Sequence, residues 1–426
     1  MPPTALRPPT PAPVAAAPAA GTEVRYHGLD ALRATALLLG VALHAALSYL
    51  PGDQAGWAVQ DRSTSLGIAA AALVVHAFRL PVFFLLAGFF ARLVVRRRGV
   101  GAFLRDRLGR ILVPLVLGWL LLEPLVAFAW IWGRMMHGDP ALIGAALALG
   151  YGEMLNQLDR LRHLARFGGE FALTHLWFLY LLLQIYALFL LTRVMLTHMI
   201  DRGGRLAAYG DRLGRRLAAS RWLLPVLAVA TTPVLLGMRR WGIDTPDRSL
   251  LPHPPVLVLY GGIFTLGWWL HRNANMLMAL GARHARHLVA GGLLAVPVIL
   301  LAGNESAGAT LPHLHLVRTG YFVLYAAMLW ALALGLTGLF LRTAARENRL
   351  WRYLAGASYW VYVVHLPIVC TLQVWLSRHD FSCWAKFGAT LALGTAVCVL
   401  SYHFLVRSTP IGVVLNGRRH PFRWWP

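Results

Sequence analysis

Few groups in this sequence can do chemistry, and most of them stand inside apolar runs. The stretch YHGLDALRATALLLGVALHAALSYL carries Asp30, Arg33 and His44. Asp30 and Arg33 are three apart, hence neighbours on a helix. Arg33 and His44 are eleven apart, and at about 100° per residue they fall within about 20° of the same direction. All three share one face, with His44 about 16 Å further along the axis than Arg33. A carboxylate could orient the guanidinium, and an imidazole, which titrates near neutrality, suits general-base work. The plain alternative is a structural Asp30–Arg33 pair and a hydrogen-bonded core histidine.

Four further stretches carry comparable groups. VVHAFRLPVFFLLAGFF sets His76 and Arg79 one turn apart, at about the depth of His44 if the second helix runs back, with Gly88 free for close helix contact. FLRDRLGRILVP presents Arg107 and Arg110 on one face, where two forked donors can grip phosphates. THLWFLYLLLQIY holds His175 and Trp177, and ASYWVYVVHLPIV holds Tyr362 and His365 one turn apart. Glu123, just before Pro124, is a lone carboxylate with no role assigned. The group Arg283, His284, Arg286 and His287 reads as a solvated loop.

The elements that position these groups follow from composition. Of 426 residues 58% are apolar and only 13% charged, with a mean hydropathy of +0.58, which excludes a soluble enzyme. Apolar runs lie at about 30–50, 66–95, 108–132, 173–197, 221–238, 255–271, 287–303, 314–341, 353–376 and 384–405. The expected fold is therefore all-α, a polytopic integral membrane protein of about ten transmembrane helices. Segment 140–172, apolar and then charged, fits a helix on the membrane surface. The Pro/Ala-rich residues 1–24 read as a disordered cytoplasmic tail, and 409–426 as a basic cytoplasmic one. Neither an internal repeat nor a soluble domain is visible. Cys370, Cys383 and Cys398 lack metal-ligand spacing, so no metal site is expected.

The net charge of +23 is mostly a topology signal. With both termini cytoplasmic, the inner segments hold 27 of the 40 basic residues, and the 304–313 connection has none. The inner face then carries about +22, which fits anionic lipid headgroups and gives no reason to invoke nucleic acid. Within the spans only Asp30 and Glu123 are acidic and only Arg33, Arg79 and Arg318 basic on this reading, and charges at that depth are functional suspects.

Taken in order along the chain, LDALRATALLLGVALH, HAFRLPVFFLLAGFF, FLRDRLGRILVP, HLWFLYLLL and SYWVYVVHLPIV resemble the motifs of the membrane-bound acyltransferase type 3 family, and more closely its glucans biosynthesis protein C branch. The family's Arg-x10-His falls on Arg33 and His44 and its Arg-x-x-Arg on Arg107 and Arg110. The resemblance spans about 25 to 405, within an acyltransferase domain drawn at 25–408. It implies transfer of an acyl group, succinyl or acetyl, from acyl-coenzyme A as co-substrate to hydroxyls of a periplasmic or cell-envelope glucan or other polysaccharide, by a multi-pass protein of the bacterial inner membrane. No permanently bound cofactor is implied. In that frame His44 is the base, Asp30 orients Arg33, and Arg107 and Arg110 receive the coenzyme A phosphates. His76, Arg79, His175, Trp177, Tyr362 and His365 serve the oxyanion or the carbohydrate acceptor. A transporter or flippase also needs intramembrane charge, but it is expected to show internal repeats. A b-type haem protein would use His44, His76, His175 and His365 as ligands.

Overall fold

The computed structural model describes residues 26–417 and 421, apart from 53–55, 165, 167, 201–203, 275 and 308–312. The expected tail 1–24 lies outside these residues, as do 418–420 and 422–426 of the C-terminal one. No strand occurs among the described residues. A single antiparallel bridge joins Glu170 to Ser249.

All ten apolar runs fall on helices. They are α1 (His27–Ala46), α2 (Leu66–Arg107), α3 (Val113–Arg134), α5 (Trp177–Met195), α7 (Leu223–Leu236), α8 (Pro254–Arg272), α9 (Met276–Ala302), α11 (Leu314–Thr343), α12 (Arg349–Ser377) and α13 (Cys383–Ser401). The shorter or more polar α4 (Ile143–Arg162), α6 (Arg205–Ala219), α10 (Asn304–Ala307) and α14 (Pro410–Asn416) lie between and after them. Among the described residues seven stretches qualify as membrane crossings by length and apolarity, or eight if α6 and α7, bent 116° apart, form one. One of those stretches, Leu66–Arg134, covers both α2 and α3. Non-helical Gly99, at φ 78° and ψ 171°, breaks it at the Arg-rich end.

Neighbouring helices meet where small residues let backbones approach. A β-carbon on Gly88 would sit 1.9 Å from the Phe264 carbonyl oxygen, and one on Gly267 would sit 1.9 Å from that of Leu85. Glycine is therefore required at both places, and α2 and α8 pack backbone to backbone. The cross-contacts fix relative direction. Gly118 meets Val363 and Gly133 meets Val374, so α3 and α12 are parallel; Gly335 meets Leu288 and Gly338 meets Leu280, so α9 and α11 are antiparallel. α1 packs along α12 and α2, and α11 along α9 and α7.

Two expectations are corrected. Arg283, His284, Arg286 and His287 are not a loop: α9 begins at Met276 and carries them, because the helix continues about three turns beyond its apolar stretch. There Arg283 satisfies the open carbonyl of Ala218 at the C-terminus of α6, at 2.9 Å. Segment 140–172 carries the expected helix, α4, which packs one side along α3 with Gly150 against Pro124 and Phe128 and leaves most of its other residues exposed. The charges inside the spans also include Lys386, in the first turn of α13, whose ammonium is buried against the Asp61 carboxylate at 2.7 Å.

Candidate active site

The His44 imidazole reaches the core from α1 one turn before that helix ends. Its C-terminal carbonyls are bonded by α12: the Gln373 amide nitrogen donates to the carbonyls of His44, which also accepts from the Leu47 amide, and Ala45, at 3.0 and 2.9 Å. From α12 also comes His365, whose Nε2 lies 2.8 Å from Nδ1 of His44. The two rings are within 4° of parallel with centroids 5.0 Å apart, so they meet edge to edge.

Hydrogen bonding assigns the tautomers. Nδ1 of His365 is 2.7 Å from the Tyr362 carbonyl and must donate to it. Neutral His365 is then left with a lone pair on Nε2, which accepts from Nδ1–H of His44. Neutral His44 in turn keeps its lone pair on Nε2, a nitrogen with no protein partner among the described residues. That atom is the basic position of the pair.

Arg79 stands beside it. Arg79, 9% exposed, forms no ion pair among the described residues, and its Nε has no hydrogen-bond partner there. Gly40 gives it room: a β-carbon there would lie 2.6 Å from an Arg79 terminal nitrogen. An uncompensated buried cation is costly in stability and rare except where function demands it.

His175 closes the third side. Its Nε2 donates to the Val363 carbonyl at 2.8 Å, and the Tyr362 hydroxyl donates to the His175 carbonyl at 2.8 Å, so α5 and α12 are stitched in both directions. Thr174 before it holds φ at 48°. That is a sterically poor conformation for a β-branched residue, and it is maintained here by the backbone bond from Thr174 to the Asp247 carbonyl at 3.1 Å.

His44, Arg79, His175, Trp177, Tyr362 and His365 line a single cavity of about 30 Å³, enough for ordered water, together with Ala36, Leu37, Leu80, Phe83 and Phe178. Six of the eleven sequence-predicted site residues are thus assembled in one place from four helices and the turn before α5. His76 is not among the lining residues; its Nε2 donates to the Ile243 carbonyl at 3.0 Å, tying α2 to the α7–α8 loop. Asp30 and Arg33 sit at the other end of α1, 3.4 Å apart, with Arg33 over the Phe90 ring. Asp30 lines a second cavity there with His27, Arg346, Asn348, Trp351 and Arg352. Arg107 and Arg110 are neighbours as expected, but both pair with Asp106, at 3.3 and 3.0 Å, which lowers their combined charge.

Sequence reasoning passed over Gln373 and Trp57. Gln373 had a legible signal, an amide inside an apolar run that must find partners. Trp57 had none, because its place depends on where a loop folds back.

Comparisons with known proteins identify the family of the chain as a whole. The family model described as an acyltransferase domain matches residues 26–403, which include every residue of the cavity. Glucans biosynthesis protein C of Escherichia coli (strain K12) is 20% identical over 409 residues, covering 92% of this chain and 95% of its own. The protein of the same name from Shigella dysenteriae serotype 1 (strain Sd197) matches to the same extent. No solved structure matches significantly. A half-buried histidine with its lone pair free, a buried arginine with no ion pair among the described residues and a match over nearly the whole chain lead to one conclusion: this multi-pass helical protein belongs to the acyltransferase type 3 family and is an enzyme that transfers acyl groups.

Proposed function

We propose that the enzyme moves an acyl group, succinyl or acetyl, from acyl-coenzyme A on the cytoplasmic side to a hydroxyl of a periplasmic or cell-envelope glucan. It is read as a protein of the bacterial inner membrane with both termini cytoplasmic. The observation that carries this reading is the His44–His365 pair beside unpaired Arg79. In the proposed step the acceptor hydroxyl gives its proton to Nε2 of His44 while its oxygen attacks the thioester carbonyl. The charge that develops on the carbonyl oxygen faces the Arg79 guanidinium. The carbon–sulfur bond then breaks, and the coenzyme A thiolate takes the proton back from His44. Throughout, Nδ1–H of His44 stays bonded to His365, which holds the ring as a buried carboxylate does in a serine-hydrolase triad.

The Arg-rich end supports the donor side. Arg107, Arg110 and Arg33 cluster there as charge-assisted donors suited to the phosphates of coenzyme A. The relatives' printed name, glucans biosynthesis protein C, supports a glucan acceptor. Arg79 favours a dicarboxylic acyl group, because a second carboxylate would supply the anion that this cation lacks. A haem reading gains nothing from the geometry: the facing nitrogens of His44 and His365 are in direct hydrogen-bond contact, which leaves no gap for an iron. The test is mass spectrometry of envelope glycans from cells with the wild-type protein, with none, and with H44A. The expected result is a substituent of about 100 Da (succinyl) or about 42 Da (acetyl), masses fixed by the covalent composition of the ester, present only with the wild type. Identical glycans in all three would overturn the reading.

A further inference from the structure

Trp57, in the connection between α1 and α2, packs on the far side of His44 from the Arg-rich end. Its ring centroid is 5.7 Å from that of His44, at an interplanar angle of 39°. Trp130 from the end of α3 stands against it at 5.2 Å, edge to face. Both indole N–H groups are engaged. Trp57 donates to the Gln373 side-chain oxygen at 2.9 Å, and Trp130 donates to the Gly56 carbonyl at 3.2 Å. Only ring faces and edges remain for further contact, and both tryptophans stay partly exposed.

The segment that carries Trp57 is anchored from a third direction. Asp61 and Lys386, the chain's single lysine, form a buried ion pair at 2.7 Å with side chains 1% and 3% exposed. Asp61 also accepts from the Ser63 amide at 2.9 Å, and its own amide donates to the Ser48 carbonyl at 2.9 Å. The Cys383 amide donates to the Ser63 hydroxyl at 3.2 Å. A buried ion pair adds little net stability, so its best-attested use is to fix one arrangement over others.

We propose that Trp57 is an acceptor-binding residue, a stacking platform for a pyranose ring presented to His44, with Trp130 as its flank and Asp61–Lys386 as the positioning pair. The inference rests on the carbohydrate-acceptor reading above. A pyranose offers an apolar C–H face of slightly positive edge character, which complements the negative face of an indole. Placed on Trp57, a sugar would have a hydroxyl directed at Nε2 of His44 while the thioester approaches from the opposite end. A platform fixed beforehand by three anchors binds without a further ordering cost.

The test uses the full chain in lipid vesicles, with succinyl- or acetyl-coenzyme A as donor and a β-linked gluco-oligosaccharide as acceptor. Donor hydrolysis without acceptor and transfer with acceptor are read separately. W57A and W57L are expected to raise acceptor KM about tenfold or more, while W57F stays within about threefold, as loss or retention of one aromatic stack predicts. Donor KM stays at the wild-type value in all three. K386M shifts acceptor KM in the same direction by a smaller factor. W57L retains apolar bulk, so a packing role would leave it near wild type, and that result would overturn the platform. So would an unchanged acceptor KM in W57A. If the wild type hydrolyses the thioester but acylates no sugar, the acceptor reading fails and the platform with it.

Discussion

Nδ1 of His44 and Nε2 of His365 lie 2.8 Å apart, although 321 residues separate them in sequence. The bond fixes which nitrogen of His44 carries a hydrogen, and so which is free to act as base. H44A is therefore expected to lower kcat by about 10²–10⁴-fold, the usual worth of a general base. H365A should lower kcat by a smaller factor with both KM values near wild type, because it unfixes the tautomer without removing the base. Single-turnover transfer rates check both. Full activity in H44A would remove the base from this residue.

Arg79 separates function from stability. R79M is expected to lower kcat by about 10²–10³-fold, as the loss of one oxyanion donor does elsewhere. It should melt at or above the wild-type temperature, since it deletes a buried charge that has no counter-ion. A thermal shift beside an activity assay settles the matter, and a large drop in melting temperature would recast Arg79 as structural.

Gly40 gives an independent route to the same group. In G40A the new methyl meets the guanidinium, 2.6 Å from one of its nitrogens, and Arg79 must move. Activity should fall with little change in expression, and G40A combined with R79M should be no worse than R79M alone. Multiplied losses in the double variant would show that Gly40 acts elsewhere.

The Asp61–Lys386 pair calls for a cycle of variants. Removing one partner strands a buried charge, so D61N and K386M should each destabilise by about 3–5 kcal/mol if the remaining charge stays buried. D61L with K386M should recover most of that loss. Equal melting temperatures across the set would mean that the pair is hydrated.

The helices, their order and six of the cavity residues were legible in the sequence, because apolar length marks a span and an ionisable group inside one stands out. The convergence of His44, Arg79, His175 and His365 was not legible from spacing, which relates residues of one helix only. Likewise, hydropathy could not see α9 continuing through Arg283 to His287, since a helix does not stop where its apolar face does. Lys386 escaped because it sits in the first turn of its span, and Asp61, which neutralises it, lies 325 residues away on a loop. Asp106 was in plain view directly before Arg107 and one turn before Arg110, yet only geometry revealed that it pairs with both.

The side-by-side packing of α1 and α12 has a consequence for biosynthesis. At about 5–20 residues per second, roughly 16–64 s pass between synthesis of His44 and synthesis of its partner 321 residues later. During that interval α1 and α2 are made while the wall that will enclose His44 and Arg79 does not yet exist. On the proposed assignment the site is complete only once α12 is made, so a chain halted before α12 would occupy the membrane without being able to spend its acyl donor unproductively.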